Sequence, residues 1–271
     1  MPELPEVETT RRGIAPYVEG KRVERVIVRR TNLRLPVSEE IIEELPGRTI
    51  VSAERRGKCL LLRLEQGSVI LHLGMTGHLR LVPATSPPGK HDHLDIILET
   101  GLALRFVDPR RFGLIIWTSE EPLNHPLLMG IGPEPLEEGF TGEYLFQASR
   151  GRVVAIKQFV MDSHIVAGVG NIYASESLFR SGIHPARRTG TISQARFQRL
   201  AIALKEVLNE AIELGGTTLR DFSDEGGKPG YFSLRLDVYG RGGKACNRCG
   251  ATIRQSRQGG RSTYFCGRCQ R

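Results

Sequence analysis

No apolar run in the 271 residues approaches the ~20 that a helical membrane span requires, which excludes a helix-spanning membrane protein. The first residues, MPELPEVETTRRG, carry three acids by position 8 and no apolar h-region, so no secretory signal is expected and the chain is expected in the cytoplasm. Cysteine is scarce: only Cys59 precedes the last 33 residues, and embedded in KCLLL it reads as a buried structural thiol rather than a nucleophile. Lysine is scarce too, 7 against 31 arginines, a bias that suits bidentate phosphate contacts without proving them. With 39% hydrophobic residues, collagen-like and bulk-disordered classes fail on composition. Acids are missing altogether from residues 239–271.

That last absence locates the charge. The chain holds 38 Lys+Arg and 30 Asp+Glu, a formal net charge of +8, yet residues 1–238 contain 30 of each. Arg241, Lys244, Arg248, Arg254, Arg257, Arg261, Arg268 and Arg271 supply the whole excess. Such a segment points to a polyanion partner at one end, with a solvated basic tail as the plainer alternative. The same segment contains Cys246-x2-Cys249 and, 16 residues on, Cys266-x2-Cys269. Two such pairs match a four-cysteine zinc site, each closing half of a tetrahedron, and without secretion disulfides are a poor alternative. Four thiolates and one Zn²⁺ sum to −2, so the metallated segment would keep about +6.

Hydropathy patterning divides the rest. Residues 5–18 suit a short helix with Val7, Ile14 and Val18 on one face. Strands are expected at Val23–Val28 and around Ile50–Val51. CLLLRL and SVILHL flank Glu65-Gln66-Gly67, and LDIIL and LALRFV flank Glu99-Thr100-Gly101, so two hairpins are expected, with a further strand from Gly113 to Trp117. This is the pattern of an antiparallel sandwich or barrel. Ser119–Gly139 holds four prolines and is the linker candidate. Beyond it, helices are expected at 142–149, 153–161, 172–181 and 192–214, the last ending at Gly215-Gly216. GVGN before the third could present backbone N–H groups to a phosphate, although tight packing explains such glycines equally well.

The first six residues carry a different kind of chemistry. If Met1 is removed, Pro2 becomes a terminal secondary amine. An α-amino group titrates near pH ~8, against ~10.4 for lysine, so much of it is a free nucleophile near neutrality. Glu3 and Glu6 follow closely, and a carboxyl in a desolvated site can act as general acid. A frayed, solvated terminus is the alternative.

MPELPEVETTRRG closely resembles the start of bacterial formamidopyrimidine-DNA glycosylases, which excise oxidised purines. RRGKCLLL, LHLGMTGHLR, KHDHLD, DPRRFG, GPEPL, AGVGNIYASESLF, GGTTLRDF, GKPGYF, VYGRGGKAC and GRSTYFCGRC extend the resemblance over nearly the whole chain in the family's order. The sister endonuclease VIII group, specific for oxidised pyrimidines, shares the Pro-Glu start but typically reads Pro-Glu-Gly-Pro-Glu; this chain has Leu4. A non-catalytic zinc-containing damaged-DNA-binding protein would explain charge and cysteines, but not Pro2-Glu3 together with Lys58 and Arg261.

The resemblance implies an α+β architecture. An N-terminal antiparallel β-sandwich with a flanking helix occupies 1–133, a helix-two-turn-helix domain with a lesion-covering loop 134–238, and a four-cysteine zinc-finger β-hairpin 239–271. It implies a monomer of the bacterial cytoplasm and nucleoid acting on duplex DNA with oxidised purines or abasic sites, with one structural Zn²⁺ and no organic cofactor. Pro2 would attack C1′, Glu3 would be the general acid at the sugar ring oxygen, and Glu6 its supporting carboxylate. Lys58, at the start of the CLLLRL strand, would transfer protons and bind phosphate. Arg261, at the tip of a hairpin between the CxxC pairs, would clamp phosphates. Guanidinium hardly deprotonates, so clamping is favoured over proton donation. His91, Arg110, Arg152, Lys157 and Asn171 match DNA-contacting positions. Met75 and Phe112 match wedge residues that disturb stacking, while Arg110 faces the orphaned cytosine. The loop 217–231 would cover the extruded purine, with Arg220 where some members carry lysine.

Overall fold

The computed structural model describes residues 1–215 and 236–271; the expected covering loop and Arg220 lie outside the described residues. The described chain divides into two compact units, 1–129 and 130–215 with 236–271.

The first unit begins with helix α1, Leu4–Val18, entered from Glu3 in extended conformation and with Pro5 in its first turn, where the missing N–H is not needed. Its buried face, Leu4, Val7, Ile14 and Val18, lies on an antiparallel β-structure of eight strands. These are β1 (Lys21–Val28), β2 (Thr49–Arg56), β3 (Cys59–Leu64), β4 (Ser68–His72), β5 (His78–Pro83), β6 (Asp92–Leu98), β7 (Leu102–Val107) and β8 (Leu114–Thr118), in the order β5-β7-β6-β1-β2-β3-β4-β8. Strand β1 joins the two halves. Lys21 and Arg22 pair with β2, and from Val23 onward the strand pairs with β6, its register shifting between Val23 and Arg25. The two halves form a sandwich around a core that includes Val26, Leu62, Val69, Ile96, Leu104, Phe106 and Ile115. Each such buried side chain contributes roughly 1.5–3 kcal/mol relative to exposure.

Both expected hairpins form, β3–β4 and β6–β7. In the first, Gly67 has φ +77°, and a Cβ there would lie 2.4 Å from the Trp117 ring, so only glycine fits the turn. Two elements escape hydropathy patterning. Helix α2, Glu40–Glu44, is five residues long and buries only Ile41, too little for a period. Strand β5 is a partly exposed edge strand paired with β7 alone.

The second unit contains α3 (Gly142–Ser149), α4 (Ile156–Met161), α5 (Asn171–Arg180) and α6 (Gln194–Glu213), followed by a hairpin of β9 (Arg254–Gln258) and β10 (Arg261–Phe265). Thr141 caps α3, its hydroxyl accepting the Tyr144 N–H at 3.1 Å. Helix α4 starts at Ile156 rather than 153 because Ala155 is extended and bridges to Arg188. Helix α6 buries Phe197, Leu200, Leu204, Val207, Leu208 and Ala211, then stops before Gly215 at φ +74°. The hairpin region shares a core with α5: Phe179 packs with Val238, Cys246, Ile253 and Cys266. Fully buried Glu176 fastens the entry to this region, accepting the N–H groups of Asp237 (2.8 Å), Val238 (3.0 Å) and Tyr239 (2.8 Å). Burial pushes its carboxyl above the usual range while these hydrogen bonds oppose the rise. Among the described residues no helix is long and apolar enough to cross a membrane.

Candidate active site and nucleic-acid interface

The N-terminus is built as a constrained helix entry. Glu3 is 2% exposed, and its N–H donates to the Glu6 carboxylate at 2.9 Å within a reciprocal capping box. Glu6, itself buried, thereby fixes the backbone of the residue that follows Pro2, and Pro2 is half-buried. A buried carboxyl at the start of α1 also meets the positive end of the helix dipole.

Lys58 lies not in the strand but in the two-residue turn before it, Gly57-Lys58, between Arg56 and Cys59, which pair directly. Gly57 takes φ +57°, the conformation this tight hairpin needs at its first turn residue. A strut joins this turn to α1. Arg55 donates from Nη1 to the Gly57 carbonyl at 3.0 Å and from Nε to Glu8 at 3.3 Å, and Glu8 is also held by Arg11 and Arg12 at 2.8 Å each. Burial raises the Glu8 carboxyl, but the hydrogen bonds from Arg11 and Arg12 and the charges of Arg11 and Arg55 outweigh it and bring it down to about 2. Opposite Cys59 on β4 lies His72, whose Nδ1 accepts the Gly74 N–H at 2.9 Å. Burial, then the Lys58 and Arg34 charges, lower His72 to about 4, so it is neutral near pH 7. Burial pushes the Cys59 thiol up to about 12, as a structural thiol requires.

The expected wedge residues sit on two loops of the same unit and are exposed despite being large and apolar: Met75 is 40% exposed and Phe112 44%. The Arg110 guanidinium lies 5.0 Å from the Phe112 ring centroid. His91 precedes β6 on a segment braced from beneath. Buried Arg105 pairs with Asp95 at 2.9 Å and Asp92 at 3.2 Å, and donates to the carbonyls of Ser86 (2.9 Å) and Pro87 (3.2 Å); Asp92 accepts the Gly89 N–H at 2.8 Å. Asp95 in LDIIL and Arg105 in LALRFV alternate with the core residues Ile96, Leu104 and Phe106, so they face away from that core and pair directly across β6 and β7; opposite charges within two apolar runs are the signal by which this brace could be found.

In the second unit Arg261 is exposed at the start of β10, opposite Gln258. The turn between them is Gly259-Gly260, φ +54° and +76°, the pair of positive values a two-residue hairpin loop favours. Arg152 is exposed and donates to the Ala148 carbonyl at 2.9 Å. Lys157 differs from a surface phosphate contact: it is 1% exposed, and its ammonium donates to the Ser262 carbonyl at 3.0 Å and the Thr263 hydroxyl at 2.7 Å. Asn171, first residue of α5, donates from Nδ2 to the same Ser262 carbonyl at 3.0 Å, while its Oδ1 is buried with no partner among the described residues. Two sequence-expected DNA contacts thus converge on the residue beside Arg261.

The four sulfurs of Cys246, Cys249, Cys266 and Cys269 lie within 4.8 Å of one another, with Cys246–Cys269 at 4.0 Å and Cys249–Cys266 at 3.5 Å. Four sulfurs ~2.3 Å from a tetrahedral centre would be about 3.8 Å apart, so the cluster fits a metal ion.

Comparison with known proteins decides the family. Residues 1–115 match the formamidopyrimidine-DNA glycosylase N-terminal domain, residues 131–223 the H2TH domain of the same enzymes, and residues 243–271 a zinc finger found in FPG and IleRS. The chain is 60% identical to the formamidopyrimidine-DNA glycosylase of Geotalea uraniireducens over 270 residues, covering 100% of both. The chain belongs to the formamidopyrimidine-DNA glycosylase family. It is also 58% identical to the Pseudomonas aeruginosa member over 271 residues, again covering 100% of both. A Lactococcus lactis FPG variant in complex with Fapy-dG-containing DNA superposes with a TM-score of 0.92 at 35% identity over 100% of both chains. The Thermus thermophilus MutM (FPG) protein gives a TM-score of 0.87 at 40% identity, covering 99% of this chain and 98% of that one. Membership brings glycosylase and abasic-site lyase activity with it.

Proposed function

We propose that mature Pro2 is the nucleophile of the family reaction, with Glu3, Lys58 and Arg261 as its partners. The protein is a bifunctional DNA glycosylase and abasic-site lyase that acts on oxidised purines in duplex DNA. On this reading the Pro2 nitrogen forms a bond to C1′ as the N-glycosidic bond breaks and the base leaves with a proton. Glu3 protonates the sugar ring oxygen, the ring opens, and a cationic iminium links Pro2 to the sugar. The iminium acidifies the C2′ proton; its loss expels the 3′ phosphate, and loss of a further sugar proton expels the 5′ phosphate. Water then hydrolyses the remaining iminium, freeing the Pro2 amine and the unsaturated sugar remnant and leaving a one-nucleotide gap. Arg261 clamps the phosphates electrostatically, and Lys58 serves proton transfer and phosphate binding.

The observation that supports this most is the buried Glu3 carboxyl next to Pro2, its backbone fixed by Glu6. A desolvated carboxyl fixed beside the amine suits an acid that must meet one sugar oxygen. Extraction of the damaged nucleotide is assigned to Met75, Phe112 and Arg110, because the reacting carbon is out of reach in a stacked duplex. We assign Zn²⁺ to the four thiolates as a structural ion with no part in the bond changes. We place its activity in the bacterial cytoplasm at the nucleoid, a reading supported by the duplex DNA substrate.

The test is incision of an 8-oxoguanine:cytosine duplex. The reading predicts strand cleavage with phosphate at both ends of the gap. Binding without cleavage would favour a damage sensor, and faster cleavage at oxidised pyrimidines would favour endonuclease VIII-like specificity.

A further inference from the structure

Three segments assigned to DNA contact in the first unit, around Met75, His91 and Arg110–Phe112, meet at one residue. Asp108 is 0% exposed. Its Oδ1 accepts the Thr76 hydroxyl at 2.8 Å and the Arg110 N–H at 3.2 Å, and its Oδ2 accepts the Gly113 N–H at 2.8 Å. Its N–H donates to the His91 carbonyl at 3.0 Å, and its own carbonyl accepts the Arg111 N–H at 3.3 Å and lies 2.7 Å from His93 Nε2. Among the described residues the carboxylate meets a hydroxyl and two backbone N–H groups rather than a side-chain cation, so its acceptor capacity is spent on holding loops.

The loops are also pressed together. A Cβ on Gly74 would lie 2.4 Å from the Phe112 carbonyl carbon and 2.5 Å from the Gly113 nitrogen, an approach open only to glycine. Arg111, between Arg110 and Phe112, has φ +60°, unlike any other non-glycine residue described. A non-glycine residue in that region persists where its surroundings over-determine it. The Asp108 hydrogen bonds on either side of Arg111, to Arg110 and Gly113, do so.

We infer that Asp108 is a positioning residue that locks the Met75 and Arg110–Phe112 loops into one rigid insertion element. The inference rests on the wedge reading of Met75, Arg110 and Phe112. A side chain pushed between stacked bases meets a restoring force. If the two loops slid independently, the protein would yield instead of the stack, so the cross-link from Asp108 to Thr76 makes the insertion effective. Asp108 itself touches neither sugar nor base on this account.

The experiment compares D108N, T76V and a Met75→Ala/Phe112→Ala double variant with the wild-type chain. Three readouts are taken: single-turnover 8-oxoguanine excision from duplex, cleavage at a preformed abasic site in single-stranded DNA, and 2-aminopurine fluorescence beside the lesion as a report of unstacking. T76V removes one hydroxyl and keeps every other Asp108 bond, so it remains informative if D108N folds poorly. The expected result is a fall in duplex excision of roughly 10- to 100-fold for D108N and about 3- to 10-fold for T76V, with a matching loss of the unstacking signal. Single-strand cleavage should stay within about twofold of wild type. Equal losses on duplex and single strand in both variants would mean a merely structural role and would overturn the inference. So would wild-type unstacking in D108N while the double variant is slow. A double variant that excises at the wild-type rate would instead remove the wedge reading on which the inference stands.

Discussion

The two ends of the chain handle charge in opposite ways. In the first unit, charged side chains beneath the surface are consumed internally: Glu8 by Arg11, Arg12 and Arg55, Asp95 by Arg29 and Arg105, and Asp108 by loop donors. Across residues 1–238 acids and bases balance, whereas residues 239–271 hold eight basic residues and no acid, with Arg261 exposed at a hairpin tip. Buried and paired charge shapes positions; exposed, unbalanced charge gives long-range attraction to a polyanion. On the proposed reading, placement of the reacting groups belongs to the N-terminal unit, and the finger adds long-range attraction and a phosphate clamp at Arg261.

Breaking placement should cost the most. Glu3→Gln is expected to slow base excision by about a hundred- to ten-thousand-fold, as loss of a general acid does, with duplex affinity nearly unchanged in a filter-binding assay. Equal loss of affinity would mean that Glu3 also grips. Breaking grip comes next. Cys246→Ser or chelation should remove most duplex binding and expose β9 and β10 to hydrogen exchange, while strands in residues 1–129 stay protected. Arg261→Ala should weaken binding on damaged and undamaged duplex alike and reduce the slope of log affinity against log salt by about 1.

The smallest effect concerns the Glu8–Arg55 strut. Glu8→Gln should destabilise the fold by roughly 1.5–3 kcal/mol at pH 7, the usual range for hydrogen bonds to a charged group. Glu8 is depressed from 4.5 to about 2 in the folded chain, so its contribution is complete above the unfolded value and disappears as pH falls from about 4.5 toward 2. The gap between the wild-type and Glu8→Gln denaturation midpoints should close over that window; a constant gap would mean that the carboxylate charge is not involved.

Local signals made much of this legible before the structure. Apolar strands around Glu65–Gly67 and Glu99–Gly101, the α6 stripe ending at Gly215, and the two CxxC pairs are all short-range patterns, and each formed as expected. What stayed hidden is held by partners far apart in the chain. Lys157 reaches Thr263, Glu176 reaches Tyr239, and Arg55 reaches back to Glu8. Periodicity carries no trace of such bonds, so nothing in the residues around Lys157 announces its burial against β10. The β5 edge strand was missed because it is partly exposed and follows a Gly-rich turn directly. The chemistry of Pro2 was suggested by residue type, but its weight came from family resemblance; a terminal proline has no pattern of its own.

The separation of placement from grip is tested most directly by borohydride trapping on an 8-oxoguanine duplex, with peptide mapping of the adduct, in wild type and Arg261→Ala at low salt. The account predicts a covalent adduct on Pro2, in a chain lacking Met1, in both proteins, with only the amount reduced in the variant. An adduct on Lys58, or none in wild type, would contradict it.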